Sequence, residues 1–399
     1  MAEQLHPRQA RRSFLAVGMV VGLTLALGGC IPRSQPRRPP PPVQMPPEEP
    51  ERPLPTTPSL PLDETRNRVA VLVPLSGENG GVGRSISNAA NLALLDTGGD
   101  RLRITVYDTA KGAAAAANEA LADGNGLFLG PLLAEHVREV APIAKRAGVP
   151  VISFSNDVSV AGDGVYIMGF NPSQSIDRVV GHARAQGLQR FAGLVPDGVY
   201  GRRSSQALID AVERSGGRMV AMQTYDRSPA SLRTAITRLN AQSGYDAVLI
   251  ADNGRIAIAA APAIRAGPSN QARILGTELW KTESGLTREP ALHGAWFASV
   301  ADGMFEQLRT RYRARYGVVP YRLGSLGYDA VLLAVRIAGD WRVGRPFPES
   351  ELRSEEGFMG VDGAFRFGRD GVAERALEVL QVNADGFTAV SPAPKGFVD

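Results

Sequence analysis

Cysteine and histidine are scarce in this chain of 399 residues, which contains one cysteine and four histidines. A single cysteine excludes an internal disulfide framework and a zinc site built from thiolates. The histidines have no metal-binding spacing in the sequence; they are His6, His136, His182 and His293. No metal site and no cofactor are therefore predicted.

Excess charge of one sign and recognisable catalytic motifs are also missing. The formal net charge is +4, and the acidic and basic residues are interspersed, which argues against a nucleic-acid-binding stripe. The sequence has no G-x-S-x-G elbow, and its carboxylates are too scattered to name an acid–base pair. We therefore expect neither nucleic-acid binding nor enzymatic activity.

A glycine-rich turn at residues 76–83 invites comparison with phosphate-binding loops. A P-loop needs lysine where Arg84 stands and glycine where Glu78 stands. A dinucleotide fingerprint needs a third glycine where Ile86 stands. The turn is interpreted as a flexible strand-to-helix connection, whose helix N-terminus is still suited to an anion.

The amino terminus has the parts of a secretory signal. Arginines near the start precede an apolar run at 14–27, and Gly28-Gly29 precede Cys30. The run has about 14 residues, against the roughly 20 that a membrane-spanning helix needs. Residues 1–29 are thus predicted to be a lipoprotein signal peptide. Arg11-Arg12 fits either a twin-arginine export signal or an ordinary basic start.

Leu27-Gly28-Gly29-Cys30 resembles the lipobox of bacterial lipoproteins. The resemblance implies that Cys30 carries lipid and becomes the first mature residue. In that family an aspartate after the cysteine favours the inner membrane, and Ile31 takes its place here. We expect a protein that is lipid-anchored on the periplasmic side of the cell envelope, with the outer membrane favoured over the inner.

A proline-rich stretch follows the cysteine. Residues 30–66 are predicted to be a disordered linker, because a segment so rich in proline and charge cannot bury a core. In the extended polyproline conformation, at about 3.1 Å per residue, the linker would reach on the order of 90 Å. A spacer is favoured over a ligand for SH3-like domains.

Residues 67–399 alternate between apolar strand patterns and helical patterns. Such alternation predicts doubly wound parallel sheets. The first series comprises strands at 68–73, 102–107, 127–129 and 149–154, with helices at 82–95, 112–122 and 133–147. The second comprises strands at 191–195, 218–222, 247–250 and 274–275, with helices at 202–215, 229–240 and 255–266.

The repetition predicts an α/β protein of two Rossmann-like lobes joined by a hinge. Helices at 304–316 and 326–338 are expected to return to the first lobe, and 364–367 with 376–382 to form a hairpin. Lobe I is expected to comprise about 67–185 plus 304–345, and lobe II about 186–303 plus 346–390.

Polar residues follow several of the predicted strands, and parallel α/β sheets bind ligands at the C-terminal ends of their strands. A cleft between two such lobes is the expected site. The candidates are Ser76, Asp108, Ser153, Ser155, Asn156, Tyr200, Asn253 and Glu278. Each serine or asparagine could instead cap a helix.

These motifs resemble the type 1 periplasmic binding proteins, the branched-chain amino-acid receptor family. The resemblance covers roughly 68–382 and rests on VLVPLSGENGGVGRSISNAANLALL at 71–95, Gly130-Pro131, GVPVIS at 148–153 and Tyr200-Gly201. It implies two lobes that close on a ligand. It also implies ligand-binding roles for Ser76, Ser155, Asn156, Tyr200 and Glu278.

Part of the sequence is more similar to the lipoprotein activators of penicillin-binding proteins, which share this fold. That similarity rests on LVPLSG at 72–77, GRSI at 83–86, YDT at 107–109 and GPLL at 130–133. It implies a regulator of peptidoglycan synthesis that binds a penicillin-binding protein. Those activators carry a helical-repeat domain before the fold, whereas this chain has the proline-rich linker.

Two functions remain open on the sequence. Leu132-Leu133 replace the small hydroxyl residues typical of amino-acid receptors, and burying a charged ligand against apolar side chains is costly. This favours the penicillin-binding protein activator. Tyr200 and Glu278 favour the alternative, a receptor that delivers branched-chain or related amino acids to an ABC permease.

Overall fold

The computed structural model describes residues 65–242 and 244–397. The predicted signal peptide, Cys30 and nearly all of the linker lie outside these residues. In the described part of the chain, no helix is both long and apolar enough to cross a membrane. The described residues form two α/β lobes, as the sequence predicts.

Lobe I is built on five parallel strands. Its elements, numbered in chain order, are β1 (Asn67–Val73), α1 (Gly80–Asp96), β2 (Leu102–Asp108), α2 (Ala113–Ala122), β3 (Leu127–Leu129), α3 (Ala134–Ala147), β4 (Val151–Ser153), β5 (Val165–Ile167), α8 (Gly303–Tyr316) and α9 (Gly324–Ile337). The strand order is β2-β1-β3-β4-β5. Helices α1, α8 and α9 pack on one face of the sheet, and α2 and α3 on the other. Every residue of β1 is buried, as in parallel strands that are covered on both faces.

Lobe II repeats this plan with a larger, mixed sheet. Its elements are α4 (Pro172–Ala185), β6 (Arg190–Pro196), α5 (Val199–Arg214), β7 (Arg218–Tyr225), α6 (Pro229–Ala241), β8 (Ala247–Ile250), α7 (Gly254–Arg265), β9 (Arg273–Gly276), β10 (Trp296–Ser299), β14 (Glu378–Asn383) and β15 (Gly386–Ser391). The strand order is β15-β14-β10-β9-β8-β6-β7, with β14 and β15 antiparallel. Helices α6 and α7 cover one face, and α4 and α5 the other.

A small third sheet lies in lobe I, although the sequence patterns assign residues 346–390 to lobe II. Strands β11 (Phe358–Gly360), β12 (Gly363–Phe367) and β13 (Ala373–Arg375) form an antiparallel sheet. Their aromatic side chains pack in the core of lobe I, where Phe367 meets Tyr166 edge to face. The segment therefore belongs to lobe I up to Arg375.

Helix α4 corrects the other boundary, since the sequence division kept residues up to 185 in lobe I. Its buried side chains, Ile176, Val179, Val180 and Ala183, pack in the core of lobe II. The sequence reading also omitted this helix and the short strands β5 and β10. Polar residues on the rest of α4 weaken its hydrophobic pattern, although Asn171 caps it and Pro172 begins it.

The predicted C-terminal hairpin is also different. Residues 364–367 pair with β13, in an antiparallel arrangement, and not with 376–382. The latter segment enters the sheet of lobe II as β14, between β10 and β15. Alternating patterns specify a strand but not its partner, so the pairing could not be read from the sequence.

Two glycines allow helices α1 and α5 to lie against the end of the strand that precedes each of them. A Cβ on Gly83 would lie 1.7 Å from the carbonyl oxygen of Pro74, and one on Gly201 would lie 1.5 Å from that of Pro196. Only glycine permits such an approach. Gly83, at the end of the turn at 76–83, is therefore needed for close packing of helix on strand, and Gly201 has the same role in lobe II.

The chain passes between the lobes three times, at 168–171, 300–302 and 376–377. Four charged residues, the hinge cluster, lie beside these crossings: Asp329, Asp362 and Arg375, which are buried, and Arg322, whose side chain is 20% exposed. Arg375 donates a hydrogen bond of 2.8 Å to the carbonyl oxygen of Met168, which joins the third crossing to the first.

The hinge cluster also contains Arg322 and two carboxylates. Nη1 of Arg322 lies 2.5 Å from Oδ1 of Asp362. The guanidinium of Arg322 lies 3.9 Å from the ring centre of Phe305, a residue just after the second crossing. Asp329 accepts a 2.6 Å hydrogen bond from the backbone N–H of Val361. Burial and the charge of Asp362 raise the pKa of Asp329 to about 7.

Substitution of Asp329 tests this charge balance. The folded protein holds the Asp329 proton more tightly than the unfolded chain, so this group contributes stability at low pH that is lost as the pH rises from about 4 to about 7. Asp329→Asn keeps an acceptor for Val361 and should flatten the fall in the free energy of unfolding over this range. Urea denaturation at several pH values measures it. Asp340→Asn, an exposed site on the same lobe, is the control; an unchanged slope in Asp329→Asn contradicts the assignment.

Candidate functional site

A cleft of about 760 Å³ lies between the lobes. Lobe I contributes an apolar wall, and lobe II contributes a polar one. The apolar residues of the lobe I wall are Val82, Leu132, Leu133, Phe154 and Leu323, and its polar residues are Asn79, Asn156 and Arg322. The lobe II wall comprises Tyr200, Arg227, Asp252, Asn253 and Glu278, with Leu279 and Thr282. A ligand in this space contacts two chemically different surfaces.

A buried carboxylate organises the lobe II wall. Asp252 follows β8 and is only 1% exposed. Its carboxylate accepts hydrogen bonds of 2.8 Å from the hydroxyl of Tyr225 and from Nε of Arg227. Arg227 has a φ of 66°, which places its guanidinium on Asp252 at some cost in backbone strain. Its hydrogen bond to Asp252 raises the pKa of Arg227. The pair is thus fixed before any ligand arrives.

Glu278 is the second carboxylate of this wall. It follows β9, at the C-terminal edge of the sheet, and accepts a short hydrogen bond from Oγ of Ser175 on α4. Burial raises the pKa of Glu278, and the bond from Ser175 opposes part of that rise. In the described part of the chain Glu278 forms no salt bridge, so its carboxylate remains able to accept a donor from a ligand.

Tyr200 lies beside Glu278 at the start of α5. Its hydroxyl is 3.2 Å from Oγ1 of Thr277. Burial, and then the charge of Glu278, raise the pKa of Tyr200, which stays a neutral phenol. The phenol can therefore donate or accept a hydrogen bond at the polar side of the cleft.

Three of the five ligand-binding candidates from the sequence come together here. Asn156, Tyr200 and Glu278 line the cleft. Ser155 does not, because it is buried and its Oγ accepts the backbone N–H of Asp157. Ser76 is exposed and does not line the cleft.

The other three candidates, Asp108, Ser153 and Asn253, hold loops and helix ends. Asp108 accepts the backbone N–H of Leu75 at 2.8 Å. Ser153 donates to the carbonyl oxygen of Pro131 at 2.9 Å. Asn253 lines the cleft, but its Oδ1 caps α7 by accepting the N–H of Ile256. Of the serine and asparagine here, only Asn253 caps a helix, whereas Ser153 bonds to a carbonyl oxygen of a neighbouring loop.

The sequence reading missed three charged residues of the cleft, Arg227, Asp252 and Arg322. Asp252 lies two residues after the end of the predicted strand at 247–250, so its position at a strand end could have marked it as a cleft residue. Arg227 lies in the turn after β7, and Arg322 in the α8–α9 loop, where no local pattern marks them. Their roles depend on partners that are distant in sequence.

An ion pair joins the two lobes outside these walls. Asp157, in the loop after β4, pairs with Arg203 on α5, and also with Arg138 on α3 at 3.1 Å. Burial acts to raise the pKa of Asp157, but hydrogen bonds from Ser159 and Arg203 outweigh it and hold that pKa well below its ordinary value. The inter-lobe ion pair is therefore charged at neutral pH.

Two sheets, three crossings and an intervening cleft define a hinged binding protein of two lobes. A family model of periplasmic binding proteins matches residues 67–387. The chain belongs to this family, in the type 1 class. Family membership agrees with the sequence resemblance and with a location in the periplasm or cell envelope.

Solved structures share the fold. A putative branched-chain amino acid ABC transporter protein of Rhodospirillum rubrum is 21% identical, with a TM-score of 0.71 over 82% of this chain and 100% of that one. A solute-binding protein of Rhodopseudomonas palustris in complex with 3,4-dihydroxybenzoic acid is 17% identical, with a TM-score of 0.61 over 84% and 99%. Full-length LpoA of Haemophilus influenzae is 18% identical, with a TM-score of 0.66 over 83% and 60%. At these identities the likeness establishes the fold alone.

One curated relative is an uncharacterized protein of Rickettsia prowazekii, 22% identical over 174 residues. The match spans 43% of this chain and 47% of that protein, less than half of its length.

Arg203→Gln tests whether the inter-lobe ion pair holds the lobes together. The substitution removes the charge that crosses between lobes, so we expect a more open average conformation and a larger radius of gyration by small-angle X-ray scattering. The loss of stability should be about 1 kcal/mol or less, because Arg203 is 29% exposed. Arg202→Gln, on the exposed side of the same helix, is the matched control. Identical scattering from all three proteins would contradict a role in closure.

Proposed function

We propose that this protein is an envelope lipoprotein that binds and regulates a penicillin-binding protein, with Cys30 as its lipid anchor. The observation that carries the proposal is the apolar lobe I wall. In the family's amino-acid receptors this wall supplies hydroxyls for the ligand's α-carboxylate. Here Leu132 and Leu133 stand in that position. The hydroxyl of Ser153 donates to the carbonyl oxygen of Pro131, and that of Ser155 accepts the backbone N–H of Asp157.

An exposed apolar patch on lobe I supports a protein partner. The α8–α9 loop presents Val318, Val319 and Tyr321, each more than half exposed, at 58%, 54% and 56%. Tyr321 lies over the start of α1, 3.0 Å from where a Cβ on Gly81 would stand. Clustered apolar side chains on a surface are typical of interaction sites.

The sequence supports the choice of partner. The motifs at 72–77, 83–86, 107–109 and 130–133 are similar to those of the penicillin-binding protein activators. LpoA, of the same fold, is among the similar structures. A lipid on Cys30 and a proline-rich linker of about 90 Å at full extension would let the body reach synthases across the envelope, from the outer membrane in preference to the inner. The role is binding and not catalysis.

A pull-down from detergent-solubilised envelope tests the partner. We expect the wild-type protein to recover a glycosyltransferase-transpeptidase, and the double variant Val318→Ser, Val319→Ser to lose most of that recovery, since it removes apolar contact area without touching a core. Quantitative mass spectrometry of the bound fraction is the measurement.

Leu95→Ser is the matched control, because Leu95 is 55% exposed at the far end of α1. It should leave recovery unchanged. Recovery of an ABC permease in place of a penicillin-binding protein would overturn the proposal, and equal loss in the control would exclude the α8–α9 patch as the surface.

The lobe II wall favours a second candidate function, a receptor that delivers amino acids to an ABC permease. Tyr200 and Glu278 offer acceptors for an ammonium group in a cleft of suitable size. The similar proteins from Rhodospirillum rubrum and Rhodopseudomonas palustris are described as transport proteins. On this hypothesis Glu278 holds the ligand's amine.

The substitution Glu278→Gln tests whether the cleft binds the amine of an amino acid through Glu278. It keeps the size of the side chain and removes its charge, so stabilisation by a bound amino acid should disappear. Thermal unfolding with a panel of branched-chain and other amino acids is the measurement. Glu213→Gln, an exposed site on α5, should behave as wild type. An equal rise in melting temperature in both variants would show that Glu278 does not bind the ligand.

A further inference from the structure

A small chamber adjoins the cleft at the hinge. Its volume is about 70 Å³, room for more than one water molecule. The chamber and the cleft share four lining residues, Phe170, Glu278, Thr282 and Arg322. Other polar residues around the chamber are Gln174, Ser175, Lys281, Ser299 and Arg375. The chamber thus extends the cleft toward the three crossings, with several polar groups set in a mainly apolar surface.

Arg322 is the cation at the boundary of both spaces. Its Nη1 pairs with Asp362 and also lies 3.1 Å from Oγ of Ser325. Its Nη2 is buried and lacks a hydrogen-bond partner, and 20% of the side chain remains exposed. A buried donor without a partner is costly, and a ligand acceptor that reaches it would remove that cost.

Two other cations line the chamber. Lys281 pairs with Asp302 at 2.8 Å and with Glu378 at 3.6 Å. Arg375 donates to Met168 through Nη2, and its buried Nε and Nη1 have no hydrogen-bond partner among the described residues, but Arg375 lines the chamber and not the cleft. Arg322 is therefore the guanidinium of the chamber with both exposure to the cleft and a free donor.

We propose that the hinge end of the cleft is a carboxylate-binding subsite in which Arg322 holds the anionic group of an amphipathic acid. The apolar body of the ligand packs on Leu132, Leu133 and Leu323 of the lobe I wall. Glu278 faces the same chamber, so it accepts a hydrogen bond from a hydroxyl next to the ligand's carboxylate. The ligand class is a 2-hydroxy acid with an apolar side chain.

The subsite differs from the hydroxyl loop that amino-acid receptors use, since it lies on the α8–α9 loop of the hinge. The proposal does not rest on a penicillin-binding protein as partner. Arg322 directly follows Tyr321 of the exposed patch, so a ligand on Arg322 would also bear on the loop that carries the proposed docking surface.

Three related probes test the subsite on the intact protein. Isothermal titration calorimetry with 3-phenyllactate, 3-phenylpropionate and 3-phenyllactamide separates carboxylate from hydroxyl. We expect the lactate to bind at least tenfold more tightly than the amide, because a hydrogen bond to a charged group is strong in a partly buried site. We expect the propionate to lie between them. Equal binding of acid and amide, or no binding of any probe at millimolar concentration, overturns the proposal.

Removing Arg322 alone would leave Asp362 buried without its partner, which is strongly destabilising. The double variant Arg322→Gln, Asp362→Asn removes both charges and should keep its fold, which thermal unfolding verifies. We expect it to lose the preference for acid over amide. Arg322→Lys keeps the charge and should retain part of the preference. A double variant that still prefers the acid overturns the assignment to Arg322. The pull-down above is a separate readout, so failure here leaves the partner proposal standing.

Discussion

Three short crossings hold the two lobes, and the guanidinium groups of Arg375, which is buried, and Arg322, which is partly exposed, tie these crossings together. Arg375 bonds to Met168 of the first crossing and directly precedes the third. Arg322 lies on Phe305, just after the second, and pairs with Asp362. Buried ion pairs add little net stability, but they are costly to break singly. Such a cluster therefore links the three crossings to one another.

The two walls of the cleft differ in polarity. Strand ends of lobe II carry Asp252 and Glu278, whereas the matching edge of lobe I presents Leu132 and Leu133. Serine hydroxyls that would make the lobe I edge polar are turned inward, where Ser153 bonds to Pro131. A ligand that satisfies both walls must be amphipathic, because an apolar wall does not compensate the desolvation of a charge.

Sequence patterns predicted the two-lobed α/β fold and most of its helices, because apolar periodicity is a local property. Helix α4 was missed although Asn171-Pro172 marks its start, since its exposed face is densely polar. Asn156, Tyr200 and Glu278 follow strands or begin helices, so their position in the cleft was predictable. Ser155 also follows a strand, yet its hydroxyl bonds within its own loop. The pairing of Arg322 with Asp362 joins residues in different loops, which no local pattern encodes.

The position of Arg322 links the cleft to the outside of the protein. Its backbone continues from the α8–α9 loop, whose Val318, Val319 and Tyr321 are exposed, and its side chain lies at the hinge end of the cleft. Under the proposed carboxylate subsite, a ligand acceptor on this guanidinium would contact a residue of the same loop. A ligand shifts an equilibrium only by its differential affinity for the two states. A charged side chain common to the cleft, the hinge and the loop is a place where such a difference can arise, and a purely apolar cleft floor is not.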